Sequence, residues 1–422
     1  MVLPQNPDAF YSDVIRKYTD HINPQLAKLL SFAGFGVEMV GEGAYIYDQD
    51  GRPLLDFLGG YGVFSLGHRH PKVIAAVVDQ LGRMPLSGKA FFSSVAADLA
   101  EKLAQISPGN LQYTFFCNSG AEAVEASLKF ARVATGRTKI ISTQGSFHGK
   151  TFGALSVTGR DKYRKPFEPL VPDVTFVPFG DARAAAAVIN ADTACMIVEP
   201  IQGEGGIQVP PDGYLTELRR ACDRAGALLI VDEVQTGLGR TGKLFACEHD
   251  GVVPDLMPLA KCLGGGVMPI GAVLGTPAVW EAVFSENPLI HTSTFGGGGL
   301  ACAAGLATLK VIEEEGLVAR SAKMGAALLG ELKKVAARHS DLISEVRGRG
   351  LMVGLEFQMD EVGELVVAQL LKRNVIVAYT LNNPRVLRFE PPLIIGEAEI
   401  EIATTALDEA LTETSELLAT LV

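Results

Sequence analysis

The chain has 422 residues, more than one small core can organise, so two domains or a large domain with a smaller companion are expected. Its composition, 48% hydrophobic and 20% charged, is that of a soluble globular protein without low-complexity tracts. A formal net charge of -11 excludes nucleic-acid binding through phosphate neutralisation, and no apolar run reaches membrane-spanning length.

The first residues, MVLPQNPDAFYSD, have neither the basic nor the apolar region of a signal peptide. Six cysteines (Cys117, Cys195, Cys222, Cys247, Cys262, Cys302) show no C-x-x-C pairing. Both features predict reduced thiols in the cytoplasm. The first seventy or so residues are mixed, with a hairpin turn at Asp50-Gly51. Beyond them, strands and helices alternate. The β-rich runs are 113–118, 139–143, 174–177, 195–199 and 228–232, with helical patterns such as 121–134 and 214–225 between them. Alternation of this kind predicts a mostly parallel sheet covered by helices. The run ALLIVDE is apolar on both parities, as in a strand buried on both faces. Another helix is predicted over 300–314. From about Ala319 the pattern changes to a helix over 319–338, a strand in LMVGLEF, a helix, a short strand at 375–379 and a last helix from Glu397. That order predicts a smaller α+β unit.

In open α/β sheets ligands bind beyond the carboxyl ends of the strands, so chemistry is sought there. Ser119-Gly120-Ala121-Glu122 could cup a phosphate at a helix start, or could simply be a capping box. Phe147-His148, bounded by glycines, could cover a flat heteroaromatic ring or form an ordinary loop. Glu199, leaving a buried strand, needs a partner. Asp232 at the sheet edge would favour a protonated nitrogen opposite it. Gly237–Gly242 matches G-x-G-x-x-G, but four residues separate it from the strand and no amphipathic helix follows. A dinucleotide site is therefore rejected. Lys261 follows the apolar stretch 255–260 and precedes three glycines. Tight apolar surroundings would lower its pKa, as a Schiff-base lysine requires; a solvated loop lysine is the plainer alternative. His291-Thr292-Ser293-Thr294-Phe295, before four glycines, is a second anion candidate or another capped helix. His68 and His70 have no ligand set around them, so no metal is expected.

The order of these segments resembles the class III aminotransferases: Ser-Gly-Ala-Glu, Phe-His-Gly, Glu-Pro-Ile-Gln-Gly-Glu, Asp-Glu-Val-Gln-Thr-Gly, Lys261, then Ser-Thr-Phe-Gly-Gly. The resemblance spans about 45–392. It implies an α/β, fold-type I enzyme of pyridoxal 5'-phosphate. The large domain (76–318) would hold a seven-stranded, mostly parallel sheet between helices. A small α+β domain would come from both termini (1–75 and 319–422).

The resemblance also assigns roles. Lys261 would carry the cofactor as a Schiff base and shuttle the substrate proton. Asp232 would keep the pyridinium nitrogen protonated, so that the ring acts as an electron sink. Phe147 would stack on the ring with His148 beside it. Glu199 belongs to the same cofactor set, and Gln235 would lie near the phenolic oxygen. Ser119, Gly120 and Ala121 would hold the phosphate. Thr294 would reach the cofactor of the other subunit in a homodimer, with assembly to a tetramer left open. Arg388 would grip the carboxylate of 2-oxoglutarate, and Glu204 would pair with it when a donor amine enters. Tyr61 would lie near the donor and Lys150 near the distal carboxylate.

Within the class, the resemblance leans to enzymes acting on putrescine. Ornithine, acetylornithine or γ-aminobutyrate donors, or an aminomutase reaction, are the alternatives. Two departures stand out. Gly298-Gly299 replace the Asn-Pro usual in the class, which predicts a looser start to the next helix. Lys150 stands where ornithine aminotransferases have an arginine, and it is a poorer fork for a carboxylate.

Overall fold

The computed structural model describes residues 3–421. After two amino-terminal helices, Pro7–His21 and Pro24–Phe32, come three antiparallel strands: β1 (Glu38–Glu42), β2 (Tyr45–Asp48) and β3 (Pro53–Asp56). The turn between β2 and β3 is the expected one. Gly51 takes a φ of 77°, and the Asp48 carboxylate accepts from the backbone of Asp50 and Arg52 at 3.0 and 2.9 Å.

The central sheet has seven strands: β4 (Tyr113–Cys117), β5 (Lys139–Thr143), β6 (Val174–Val177), β7 (Thr193–Val198), β8 (Leu228–Val231), β9 (Leu256–Leu259) and β10 (Gly271–Gly275). Their order is β4-β10-β9-β8-β7-β5-β6, and only β10 runs against the others. Successive residues of β7 face opposite layers, as the period of two requires. Cys195 and Ile197 pack with Val124, Leu128 and Phe130 of the helix Gly120–Thr135. Met196 and Val198 pack in the other layer, with Leu215 and Leu218 of the helix Tyr214–Ala225. This two-sided burial is why the strand sequences show no polar parity. The runs expected to end at Asn118, Glu199 and Asp232 end one residue earlier, which leaves those three side chains at the sheet's carboxyl edge.

The carboxyl-terminal part contains β11 (Ile343–Arg349), β12 (Met352–Phe357), β13 (Val375–Ile376), β14 (Ala378–Tyr379) and β15 (Val386–Phe389). The helices Leu317–Arg338, Asp360–Lys372 and Glu397–Leu421 accompany them. The single strand expected over 375–379 is two. Val375 and Ile376 pair in parallel with β3, whereas Ala378 and Tyr379 pair with β15 in a different sheet. Buried Val377 joins the two pairings.

The start of the helix Gly299–Glu314 corrects a second expectation. It has no side-chain cap, yet it is tightly packed rather than loose. A Cβ at Gly299 would collide with the Met84 carbonyl and lie 2.9 Å from Gln80 Nε2, while Leu300 N donates to Pro85 O at 3.2 Å. Glycine here permits a backbone approach that proline would block.

Candidate active site

The loops leaving the carboxyl ends of β4, β5, β7, β8 and β9 surround a cavity of about 640 Å³. Asp232 forms its floor. One carboxylate oxygen lies 2.7 Å from His148 Nδ1, and the other accepts from Val234 N at 3.0 Å. The His148 ring is buried, with its second nitrogen unpartnered among the described residues. Glu199 emerges beside Asp232 from the neighbouring strand. Its carboxylate accepts from Phe147 N (2.9 Å) and Gly203 N (3.1 Å). Burial pushes this carboxyl up to about 7, with His148 opposing. Glu199 thus ties down the backbone of the aromatic residue on the cavity wall and that of the loop carrying Glu204.

Lys261 follows β9 and opens a short 3-10 turn, Lys261–Gly264, with its own φ at 46°. That left-handed conformation costs a β-carbon-bearing residue about 1–2 kcal/mol. Burial lowers the lysine pKa, opposed in part by Glu390 and Glu204. Opposite it, the amino terminus of the helix Gly120–Thr135 opens onto the cavity. Ser119 Oγ accepts from Glu122 N at 3.2 Å, and Glu122 in turn accepts from Asn118 N at 2.8 Å. The capping contacts and the anion cup are therefore compatible. Gly120 lies against Val234, where a Cβ would come within 2.9 Å of Cγ1.

At the other side, Arg388 on β15 is fully buried. One amino group donates to Glu204 Oε2 at 2.5 Å and the other to Glu390 Oε2 at 3.2 Å. The guanidinium carbon stands 5.1 Å from the Tyr61 ring centroid, a cation–π distance. Burial would raise the Glu204 carboxyl, but Arg388 overrides it and holds the group below the usual range. Leu381 N also donates to Glu204, at 2.8 Å. Gln235 lines the cavity, and its amide is engaged with both Glu390 oxygens, at 2.9 and 2.8 Å. Lys150 is exposed at the rim, its ammonium 5.0 Å from the Tyr163 ring centroid. Thr294 lies outside this cavity, exposed in a separate hollow with Asn118 and His291.

Two participants escaped the sequence reading. Glu390 stands two residues beyond Arg388, and strand periodicity puts such residues on one face; that signal was available. Glu125 accepts from Gly153 N (2.7 Å) and Ala154 N (3.1 Å), bracing the segment after Lys150, and no motif marks it. Gly237–Gly242 is a series of turns whose Arg240 is buried among carbonyls. His68 bonds Asp56 at 2.8 Å, and His70 approaches Glu315 at 3.3 Å.

These residues fit pyridoxal phosphate. The cavity offers free helix N–H groups for an anion, a buried carboxylate suited to a ring nitrogen, an aromatic wall and a lysine with depressed pKa. The Aminotransferase class-III family model matches residues 37–411, and the chain belongs to that family. It is a transaminase of the pyridoxal-phosphate type, acting on an amine donor and an oxo-acid acceptor. Among solved structures it is similar to the ornithine aminotransferase of Toxoplasma gondii, with 33% identity, a TM-score of 0.87, and coverage of 98% of this chain and 99% of that one. It is also similar to an (S)-enantioselective omega-transaminase of Thermomicrobium roseum, with 31% identity, a TM-score of 0.90, and coverage of 97% and 99%. The ornithine δ-aminotransferase of Plasmodium falciparum shows 30% identity and a TM-score of 0.80 over 90% and 93%.

Proposed function

We propose that this transaminase moves the amino group of a putrescine-like diamine or ω-amino donor to 2-oxoglutarate in two half-reactions. The observation that carries the reading is the closed Arg388–Glu204 pair, 2.5 Å apart in a buried site. A donor without a carboxylate needs no arginine, and the pair can stay closed over it. When the oxo acid enters, Glu204 releases Arg388 and the carboxylate takes its place on the guanidinium fork.

Bound through Lys261, pyridoxal phosphate supplies an electron sink. The chain's own groups do the rest. Lys261 Nζ, freed when the donor arrives, takes the proton from the donor carbon; its lowered pKa leaves it able to accept one. Asp232 keeps the ring nitrogen protonated and His148 orients Asp232. Phe147 covers the ring, with its backbone fixed by Glu199. The N–H groups of Gly120 and Ala121, with Ser119, hold the phosphate. Gln235 would lie near the ring oxygen, Tyr61 would flank the donor, and Lys150 would meet the far carboxylate as a point charge. The ornithine aminotransferases among the similar structures favour a second reading, in which ornithine is the donor.

We assign the small domain to 1–75 and 319–422 around the large domain 76–318; the β3–β13 pairing supports joining the two termini. A homodimer is part of the reading. Phe91, Phe92, Leu289 and Phe295 are exposed apolar side chains, and Thr294, next to Phe295, lies outside its own cavity, as a residue serving the partner would. The six cysteines are buried and unpaired, which suits the cytoplasm, and among the described residues no helix is long and apolar enough to cross a membrane.

The test is the absorbance of the bound cofactor. Putrescine alone should bleach the yellow band and 2-oxoglutarate should restore it. Bleaching by ornithine but not by putrescine would select the second reading. No band after reconstitution with pyridoxal phosphate would overturn the assignment of the site.

A further inference from the structure

Arg388 is held by two carboxylates of different character. Glu204 sits on a glycine-flanked loop and shares one oxygen between Arg388 Nη2 and Leu381 N. It can exchange these contacts for others. Glu390 cannot. It is fully buried, with both oxygens bonded to Gln235 Nε2 and one also to Arg388 Nη1. Its backbone N donates to Phe57 O at 2.8 Å, and Gly59 packs so closely on its carbonyl that a Cβ there would collide. Arg240 acts on Glu390 only through space, since its two amino groups bond Leu351 O, Pro391 O and Ser65 Oγ.

With Glu204 in place, the trio Glu204–Arg388–Glu390 therefore carries one negative charge in excess. When Glu204 leaves, the guanidinium facing an incoming oxo acid is still half-neutralised by Glu390. We propose that Glu390 is a specificity-determining residue: a fixed second carboxylate on Arg388 that favours a cationic amine donor and weakens dicarboxylate binding. This rests on the assignment of Arg388 to the acceptor carboxylate and deepens it.

The test uses the holoenzyme and two ligands. Glutarate, a dicarboxylate with no group to react, is titrated calorimetrically. Putrescine is followed in the donor half-reaction by the cofactor's absorbance. In Glu390→Gln the amide oxygen can still accept from Gln235, but the charge is gone. Glutarate should bind about tenfold more tightly and the putrescine KM should rise about tenfold, opposite directions that a merely loosened site cannot produce. Glu390→Ala must shift both constants in the same senses and carries the test if the glutamine variant does not fold, while Glu390→Asp, which keeps the charge, must stay within about twofold of the parent for glutarate. Weakening of both ligands together, or no change in glutarate affinity, overturns the proposal. The glutarate arm does not depend on the donor's identity. A protein that ignores putrescine but shows the glutarate shift therefore refutes the donor reading and keeps Glu390.

Discussion

Replacing Arg240 with lysine should cost more stability than its reputation as a conservative change suggests. The guanidinium is fully buried and its three contacts come from three separate parts of the chain. Nη1 donates to Leu351 O (2.9 Å) and Pro391 O (2.5 Å), and Nη2 to Ser65 Oγ (2.9 Å). A charged donor bond is worth about 1.5–3 kcal/mol. A lysine ammonium cannot span this fork and keeps one acceptor of the three. Two lost bonds, with acceptors left buried, amount to about 3–6 kcal/mol, a large share of the ~5–15 kcal/mol typical of folded domains. The assay is equilibrium urea unfolding followed by circular dichroism, with the KM for 2-oxoglutarate measured alongside. Because Pro391 adjoins Glu390, a shift of that carboxylate away from Arg388 should lower the acceptor KM as well. A loss below about 1 kcal/mol with an unchanged KM would refute the view of Arg240 as the tie between these segments.

Other outcomes follow from the same contacts. Lys261→Ala should reduce turnover by about 10²–10⁴-fold or more while pyridoxal phosphate still binds non-covalently; activity within tenfold of the parent in a reconstituted sample would contradict the role given to the lysine. Burial pushes the Glu233 carboxyl up to about 7, against Thr236 and the backbone N–H of Cys247, which oppose it. A raised folded-state pKa contributes stability that is full below the ordinary carboxyl range, near 4.3, and is lost as pH rises through about 7. Glu233→Gln should therefore shrink the difference in unfolding free energy between pH 5 and 8 by about 1–3 kcal/mol, and an unaltered pH profile would sink the assignment. Gly299→Ala gains up to about 1 kcal/mol of helix propensity but forces a side chain against the Met84 carbonyl, at about 1–3 kcal/mol. The net should be destabilising in urea; a more stable variant would contradict the close approach.

Much of this is legible in the sequence because the central strands are buried on both faces. Two-sided burial leaves long apolar runs, and the polar residues that follow them (Asn118, Glu199, Asp232) mark the cavity lining directly. Ser119 shows where local reading stops. Its S-x-x-E spacing specifies a cap, and only the fold shows that the same helix start opens onto the Lys261 cavity. The 375–379 segment misled for another reason. Its β-rich composition is right, but composition does not say which partner each residue pairs with, and the partners lie in two sheets. The fit of Gly299 was equally hidden, because it depends on the distant Met84–Pro85 backbone. The bond between Gln235 and Glu390 was hidden too, because it joins distant parts of the chain.

The division of residues 375–379 between two sheets bears on how the chain is made. Leu55 and Asp56 acquire their parallel neighbours only when Val375 and Ile376 have left the ribosome, long after the central sheet has all its strands. Synthesis ordinarily lets amino-terminal units fold first. Here the earliest strands must wait with one edge unpaired while the middle of the molecule assembles, so the amino-terminal sheet is completed only after the central one and its open edge is where a stalled or truncated chain would aggregate.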